Sequence, residues 1–504
     1  MQGRLLRVSA FLAAAAAAVL ALSASAPAAK QQLQILPSAD YSGLQHLHYE
    51  FGPIKIAAGQ NSIEIKINTQ KPQVPGYITR FAPNLIYASN RKVPRVDVIH
   101  LHHGVWLING APVFAAGEEK TAFTFPQGYG FHVKPSELWL MNYMIHNLTA
   151  KATSVYLTYD IDFLPDSEAA ASTVTPVHPL WMDVAGIRPY PVFDVLQGSG
   201  TGGRYTFPDQ ATGAERDKIG PAHTFTASKD ITLVTAAGHL HPGGLWTDLT
   251  DTRGGQEKLL FRSEAKYWEP AGAVSWDVSL TATKPDWRVA VHQGDRLDLS
   301  ATYDTQRGSW YESMGIDVVF YADGIRPDAA DPFSGTIDTT GLVTHGHLPE
   351  NDNHGGSRTI LPDARLLPPG ASGGNVNILN FIYRRGNTGA SGRLGKPPVV
   401  KQGGSLTFAN LDATQSIDPG ASAYHTITAC KAPCNRNTGI AYPLANGKIQ
   451  FDSGELGYGP AGFTPAANRN TWKTPKTLPP GTYTFFCRIH PFMRGSFRVV
   501  KATS

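Results

Sequence analysis

In the stretch SVYLTYDIDF, Val155, Leu157, Tyr159, Ile161 and Phe163 alternate with polar residues, and Ile63, Ile65 and Ile67 do the same in NSIEIKIN. A period of two sends successive side chains to opposite faces, so each run reads as a half-buried β-strand. Runs of this kind recur along the chain between clusters of Gly, Pro, Asn and Asp, and helical periodicity is scarce. That pattern confines the chain to an all-β fold built of sandwiches. The 50 Gly and 37 Pro make it rich in turns, while 42% hydrophobic residues supply cores, so the chain folds rather than remaining disordered.

A length of 504 residues leaves room for about three domains. FLPDSEAAASTVTPVHP (163–179) and the Pro/Gly/Asn-rich stretch beginning at His345 read as linkers. They divide the chain into a first sandwich at 38–165, a second at 178–344, a linker at 345–370 and a third sandwich at 371–504. Ahead of these, Arg4 and Arg7 precede FLAAAAAAVLALSASAPAA, an apolar core too short to span a bilayer that ends in small residues. Residues 1–29 are therefore expected to be a cleavable signal peptide, cut within Ala24–Ala29. A secreted or periplasmic location follows, where disulfides and copper(II) persist. A net charge of +4, with 17% charged residues, calls for neither nucleic acid nor an anionic membrane, and no later run is long enough to cross one.

The C-terminal domain holds all three cysteines. Cys430 and Cys434 in ACKAPC can pair locally, which leaves Cys487 as an odd thiol. In FFCRIHPFMRG, Cys487, His490 and Met493 stand three residues apart each, between the strand-like GTYTFF and GSFRVV. Copper that shuttles one electron takes a cysteine thiolate and two imidazoles, with a weak axial thioether. His425 in AYHTIT is the other histidine of this domain, so His425, Cys487, His490 and Met493 read as a type 1 blue copper set. From about residue 370 onward the chain resembles the cupredoxin family in its amicyanin and plastocyanin form, whose closing loop is Cys-x2-His-x2-4-Met. Phe486 and Arg488 flank the cysteine. The His-Cys-His that joins a blue copper to a trinuclear cluster in multicopper oxidases is thus missing, and that family fits poorly.

VIHLHHGVWLING (98–110) and AAGHLHPGGLWTD (236–248) each carry His-x-His. On a strand this places two imidazoles on one face, where a single metal can take both. Two such pairs in separate domains point to two separate metals, and all-nitrogen ligation suits copper, zinc or iron. His146 in ELWLMNYMIHNLT and Met314 in SWYESMGIDVVFYAD are candidate third ligands. No carboxylate stands at ligand spacing beside either pair, so a zinc hydrolase is poorly supported.

Over about residues 45–325 this pattern resembles the copper type II, ascorbate-dependent monooxygenases, the peptidylglycine and dopamine monooxygenase family. The resemblance implies two jelly-roll-like β-sandwich domains ahead of the cupredoxin β-sandwich. It implies that His102, His103 and His146 hold an electron-transferring copper, and that His239, His241 and Met314 hold the catalytic copper where dioxygen binds. Adjacent His102 and His103 would need a bulge or a strand end just before Gly104, and His100 is an alternative to one of them. The family's disulfides are absent, since no cysteine precedes Cys430. Ala237 and Val318 stand where the peptide-hydroxylating members have an arginine and a tyrosine, so a glycine-extended peptide is not the expected substrate.

The expectation is an exported copper-dependent monooxygenase with its electron donor fused on. It would carry one type 1 copper and two further mononuclear coppers, with no cofactor besides metal. Its partners would be dioxygen, a small-molecule substrate and an external electron donor. The alternative is a non-catalytic copper-binding electron-transfer or copper-handling protein. His345, His347 and His354, among Glu350 and Asp352, form a further polar cluster at the domain junction, either solvated linker or another metal site.

Overall fold

Strands account for nearly all the regular structure, joined by tight turns and a few short 3-10 segments. The computed structural model describes residues 36–186, 188–269, 272–274, 276–351, 356–413, 423–438, 449–459 and 468–502. The expected signal peptide lies outside them, as do Asp352 and His354. No helix among the described residues is long and apolar enough to cross a membrane.

Two sheets face each other in the N-terminal part. One runs in the order Gln45–Ile56, Thr153–Pro165, Gly76–Tyr87, Tyr129–Val133, Thr175–Pro176, and the other in the order Asn61–Ile67, Trp139–Asn147, Ile99–Ile108, Ala111–Gly117. Their inner faces interlock around Phe81, whose ring centre lies 4.4 Å from Phe114, 4.9 Å from Trp106 and 5.6 Å from Tyr159. The alternating residues from Val155 to Phe163 all point into this core. Ile65 and Ile67 do not: on the edge strand Asn61–Ile67 they stand 59% exposed, and only Ile63 is buried.

The next sheet is larger, in the order His178–Asp183, Gly315–Asp323, Ile231–Leu240, Val278–Thr283, Gln256–Tyr267, Gly244–Arg253, Arg296–Asp304, Arg204–Phe207. Its strands Gly315–Asp323 and Ile231–Leu240 are covered on both faces. Val234, Ala237, Val318 and Phe320 join the core of the first sandwich, while Leu233, Ala236 and Val319 join the core on the other side. A strand buried twice reads as a continuous apolar run, which explains the sequence GIDVVFYAD. Phe320 wedges into the first core, its ring centre 4.7 Å from Phe125 and 5.9 Å from Phe114.

The C-terminal part pairs a sheet ordered Val399–Lys401, Arg494–Val500, Gly481–Phe486, Thr428–Cys430 with a smaller one ordered Asn375–Ile378, Thr407–Asn410, Thr471–Lys473. Cys430 and Cys434 form a disulfide, and Cys487 is free and buried. The described residues from Leu36 onward belong to one compact unit, so its parts share faces and the sites at their seams are built from several strands.

Candidate metal centres

The turn after Gly481–Phe486 brings three donors to one point. Cys487 Sγ lies 3.8 Å from His425 Nδ1 and 3.7 Å from His490 Nδ1, and the two nitrogens are 3.1 Å apart. Met493 is buried in the same loop, its N–H donating to the His490 carbonyl (2.9 Å) and its carbonyl accepting from the Cys487 N–H (3.3 Å). The N–H groups of Thr426 and His490 point at the sulfur from 3.3 and 3.4 Å. Asp412 Oδ2 holds His425 Nε2 at 3.0 Å, which aims Nδ1 into the cage. Burial alone would raise the Cys487 thiol, but hydrogen bonds and charge from both histidines hold it well below the usual thiol range. Burial opposes a charge on His425, yet Asp412 and Cys487 push it up to about 9. A thiolate and two imidazoles with a thioether in the same loop are a donor set that suits copper.

A second cluster is built from histidines on three strands. His100 and His146 sit directly opposite each other where Ile99–Ile108 pairs with Trp139–Asn147, their ring centres 5.2 Å apart. The register then shifts between Leu101 and His103, so a bulge falls at His102, just before Gly104. From the neighbouring sandwich, His239 is the penultimate residue of Ile231–Leu240 and His241 follows the strand, their rings perpendicular at 5.1 Å. His102 lies 6.1 Å from His146 and 4.5 Å from His241. The two histidine sets, expected as separate sites, therefore adjoin each other. All six side chains are buried.

Their ring nitrogens are the notable feature. His100 Nδ1 bonds the Val96 carbonyl at 2.8 Å and His241 Nδ1 bonds the Glu312 carbonyl, which orients each ring. His100 Nε2, His102 Nδ1, His103 Nδ1 and His241 Nε2 have no hydrogen-bond partner. Burial lowers His100 and His103 to about 4 and holds His102, His146 and His241 well below the ordinary histidine value. These are neutral imidazoles with lone pairs turned inward, a costly arrangement unless a cation receives them. The chemistry fits a first-row transition ion.

Two acidic residues join the cluster that sequence spacing did not bring forward. Ala111–Gly117 folds back on Ile99–Ile108 through Asn109 and Gly110, both at positive φ (52° and 85°), as an Asn-Gly hairpin turn requires. A bulge between Trp106 and Leu107 then sets His103 opposite Gly117, so Glu118 arrives beside His102. One donor atom each from His102, Glu118 and His241 lie within 4.8 Å of one another. Glu119 follows, its Oε2 3.1 Å from His239 Nδ1. A Cβ on Gly117 would meet His239 Cε1 at 2.6 Å, so only glycine lets the strand pass this ring.

The Cys487 cage touches this cluster. The His490 ring stands edge-on to His146 at 5.9 Å, and its Nε2 donates to the Gly59 carbonyl of the first sandwich at 2.8 Å. Trp276 stacks on His100 at 4.4 Å. Two cavities flank the cluster. One, of about 60 Å³, is lined by His146, His241, Trp276, Glu312, Glu455 and Arg488. The other, of about 90 Å³, is mostly apolar and holds His103, His239 and Met314 alongside Trp181 and Ile316. Burial raises both Glu312 and Glu455, which adjoin each other, and Tyr190 donates to Glu312 Oε2 at 2.8 Å. Of the junction histidines, His345 bonds the Glu119 carbonyl and His347 pairs with Asp277 at 3.0 Å, so both pin the linker against the sandwiches.

Over part of its length the chain is similar in structure to amicyanin. A variant in its Cu(I) form matches at 16% identity over 28% of this chain and 92% of that one, with a TM-score of 0.15. A copper-containing nitrite reductase from Thermus scotoductus SA-01 matches at 10% identity over 81% of this chain and 88% of that one, with a TM-score of 0.18. Recombinant peptide N-glycanase F matches at 10% identity over 56% and 97%, with a TM-score of 0.26. No protein-family model matches the sequence, and no curated protein matches it.

Proposed function

We propose that this chain is an exported copper-dependent monooxygenase in which the Cys487 cage passes electrons inward to the histidine cluster. The observation that most supports this is the contact between the two. In the cage, His490 is only 1% exposed and turns its ring onto His146 instead of onto solvent. Copper, when bound, supplies one-electron transfer in the cage and, in the cluster, a second redox position open to dioxygen. His425, Cys487, His490 and Met493 would hold it in the cage; in the cluster, the resemblance assigns His102, His103 and His146 to one ion and His239, His241 and Met314 to another.

The protein's own groups then do the remaining work. The Val96 and Glu312 carbonyls keep His100 and His241 in tautomers whose far nitrogens face the cluster. The cavity beside His239 and Met314 binds a small, largely apolar substrate and keeps water from it. Glu312 and Glu455, whose carboxyls burial raises, line the other cavity and are the acidic groups placed to hand protons to it. The overall change is R–H + O2 + 2 e⁻ + 2 H⁺ to R–OH + H2O. An external one-electron donor supplies both electrons through Cys487.

Replacing Cys487 by Ser, with dioxygen uptake followed under an outer-sphere one-electron donor, tests the route. Substrate-dependent uptake should fall at least about a hundredfold and return partly with a small reductant that reaches the cluster directly. Undiminished uptake would refute the inward path. A native protein that takes up no dioxygen with any small apolar substrate would leave only the electron-transfer or copper-handling alternative.

A further inference from the structure

We infer that His102, Glu118 and His241 form one metal site bridging the first two sandwiches, built for a divalent first-row transition ion. The family resemblance assigns the two histidines to different ions. Their rings nevertheless stand 4.5 Å apart at 86°, and one donor atom of each lies within 4.8 Å of the other and of a Glu118 oxygen. Donors held about 2.0–2.2 Å from one ion lie about 3–4 Å from each other, so a slight closure completes the site.

Every donor is buried and open. His241 Nδ1 is taken by the Glu312 carbonyl, which leaves Nε2, and His102 Nδ1 has no partner. Neither oxygen of Glu118 is hydrogen-bonded, although the residue is only 3% exposed. A buried carboxyl group with no hydrogen-bond partner is costly, and the adjacent Glu119 offers no relief, since its Oε2 is engaged with His239 Nδ1 at 3.1 Å. The nearest lysine in sequence does not meet that need, because Lys120 Nζ is engaged with Glu350 Oε1 at 3.0 Å. Two imidazoles and a carboxylate leave coordination positions free, and the cavity lined by His241 and Glu312 lies alongside. Among divalent ions, such a mixed nitrogen and oxygen set binds copper(II) most tightly.

This inference rests on the cluster being a metal site, as proposed above, but not on dioxygen chemistry. The test is a count of copper(II) ions bound by the full metal-free chain and by His102→Gln, His241→Gln, the double variant and Glu118→Gln. The blue absorption of the Cys487 cage serves in each as an internal check of folding. A shared site predicts that each single histidine variant holds one ion fewer and that the double variant also holds only one fewer. Glu118→Gln should weaken that ion by at least about tenfold, and Glu118→Asp, which keeps the carboxylate, should recover most of the loss. Additive losses in the double variant, or native affinity in Glu118→Gln, overturn the shared site and leave the oxidoreductase proposal standing. Uptake of no ion beyond the blue one overturns both.

Discussion

Gly59 shows how much a single position can govern here. It sits at φ +64°, a Cβ placed on it would come within 2.3 Å of the Phe381 ring, and Phe381 packs edge-on against both His425 and His490. Gly59→Ala should therefore cost about 1–3 kcal/mol and alter the spectrum of the copper-loaded cage, read by electron paramagnetic resonance; an unchanged spectrum would refute the coupling. Asp183 gives a pH signature. Burial lifts its carboxyl to about 8, so between about pH 4 and 8 the folded chain keeps a proton that the unfolded chain has released. Stability from this group falls as pH rises through that window, by about 1.4 kcal/mol per pH unit at most, and levels off above it. Asp183→Asn removes the slope. Denaturant melts at pH 5 and pH 8 should show the variant gaining up to about 4 kcal/mol on the native chain. Equal gains at both values would mean Asp183 ionises normally in the fold.

At the scale of strands and turns, the consequential element is Gly315–Asp323, which carries Met314 at its start and Phe320 in its middle. Phe320→Ala should destabilise the chain by about 3–5 kcal/mol, measured by chemical denaturation, because its ring fills a space among Phe114, Phe123 and Phe125. A cost below about 1 kcal/mol would mean that the two sandwiches do not depend on this wedge. The strands themselves are legible in the sequence through their period of two, and the Cys487 cage is legible because Cys487, His490 and Met493 share one short loop. Glu118 was hidden for a definite reason. Its place beside His102 depends on an Asn-Gly turn and on a one-residue bulge at Trp106, and counting back from the turn without the bulge sets His102 against Gly117 instead. The approach of His102 to His241 depends on how two sandwiches dock, which no spacing within either strand encodes. Ile65 and Ile67 mislead in the opposite sense, since alternation marks a strand without saying which end its neighbour covers.

Across the whole molecule, one seam gathers the chemistry. The first sandwich gives His100, His102, His103, His146, Glu118 and the Gly59 carbonyl; the second gives His239, His241, Glu312 and Trp276; the C-terminal part gives His490, Glu455 and Arg488. Removing any one part would open the seam to water. The Gly59 carbonyl over His490 Nε2 has a further result. An imidazole edge left bare on the outside lets a blue copper protein trade electrons with whatever collides with it. Here that edge is roofed by the first sandwich, so under the proposed function a copper held in the cage would find its nearest neighbouring imidazole in His146 and not at the outer surface.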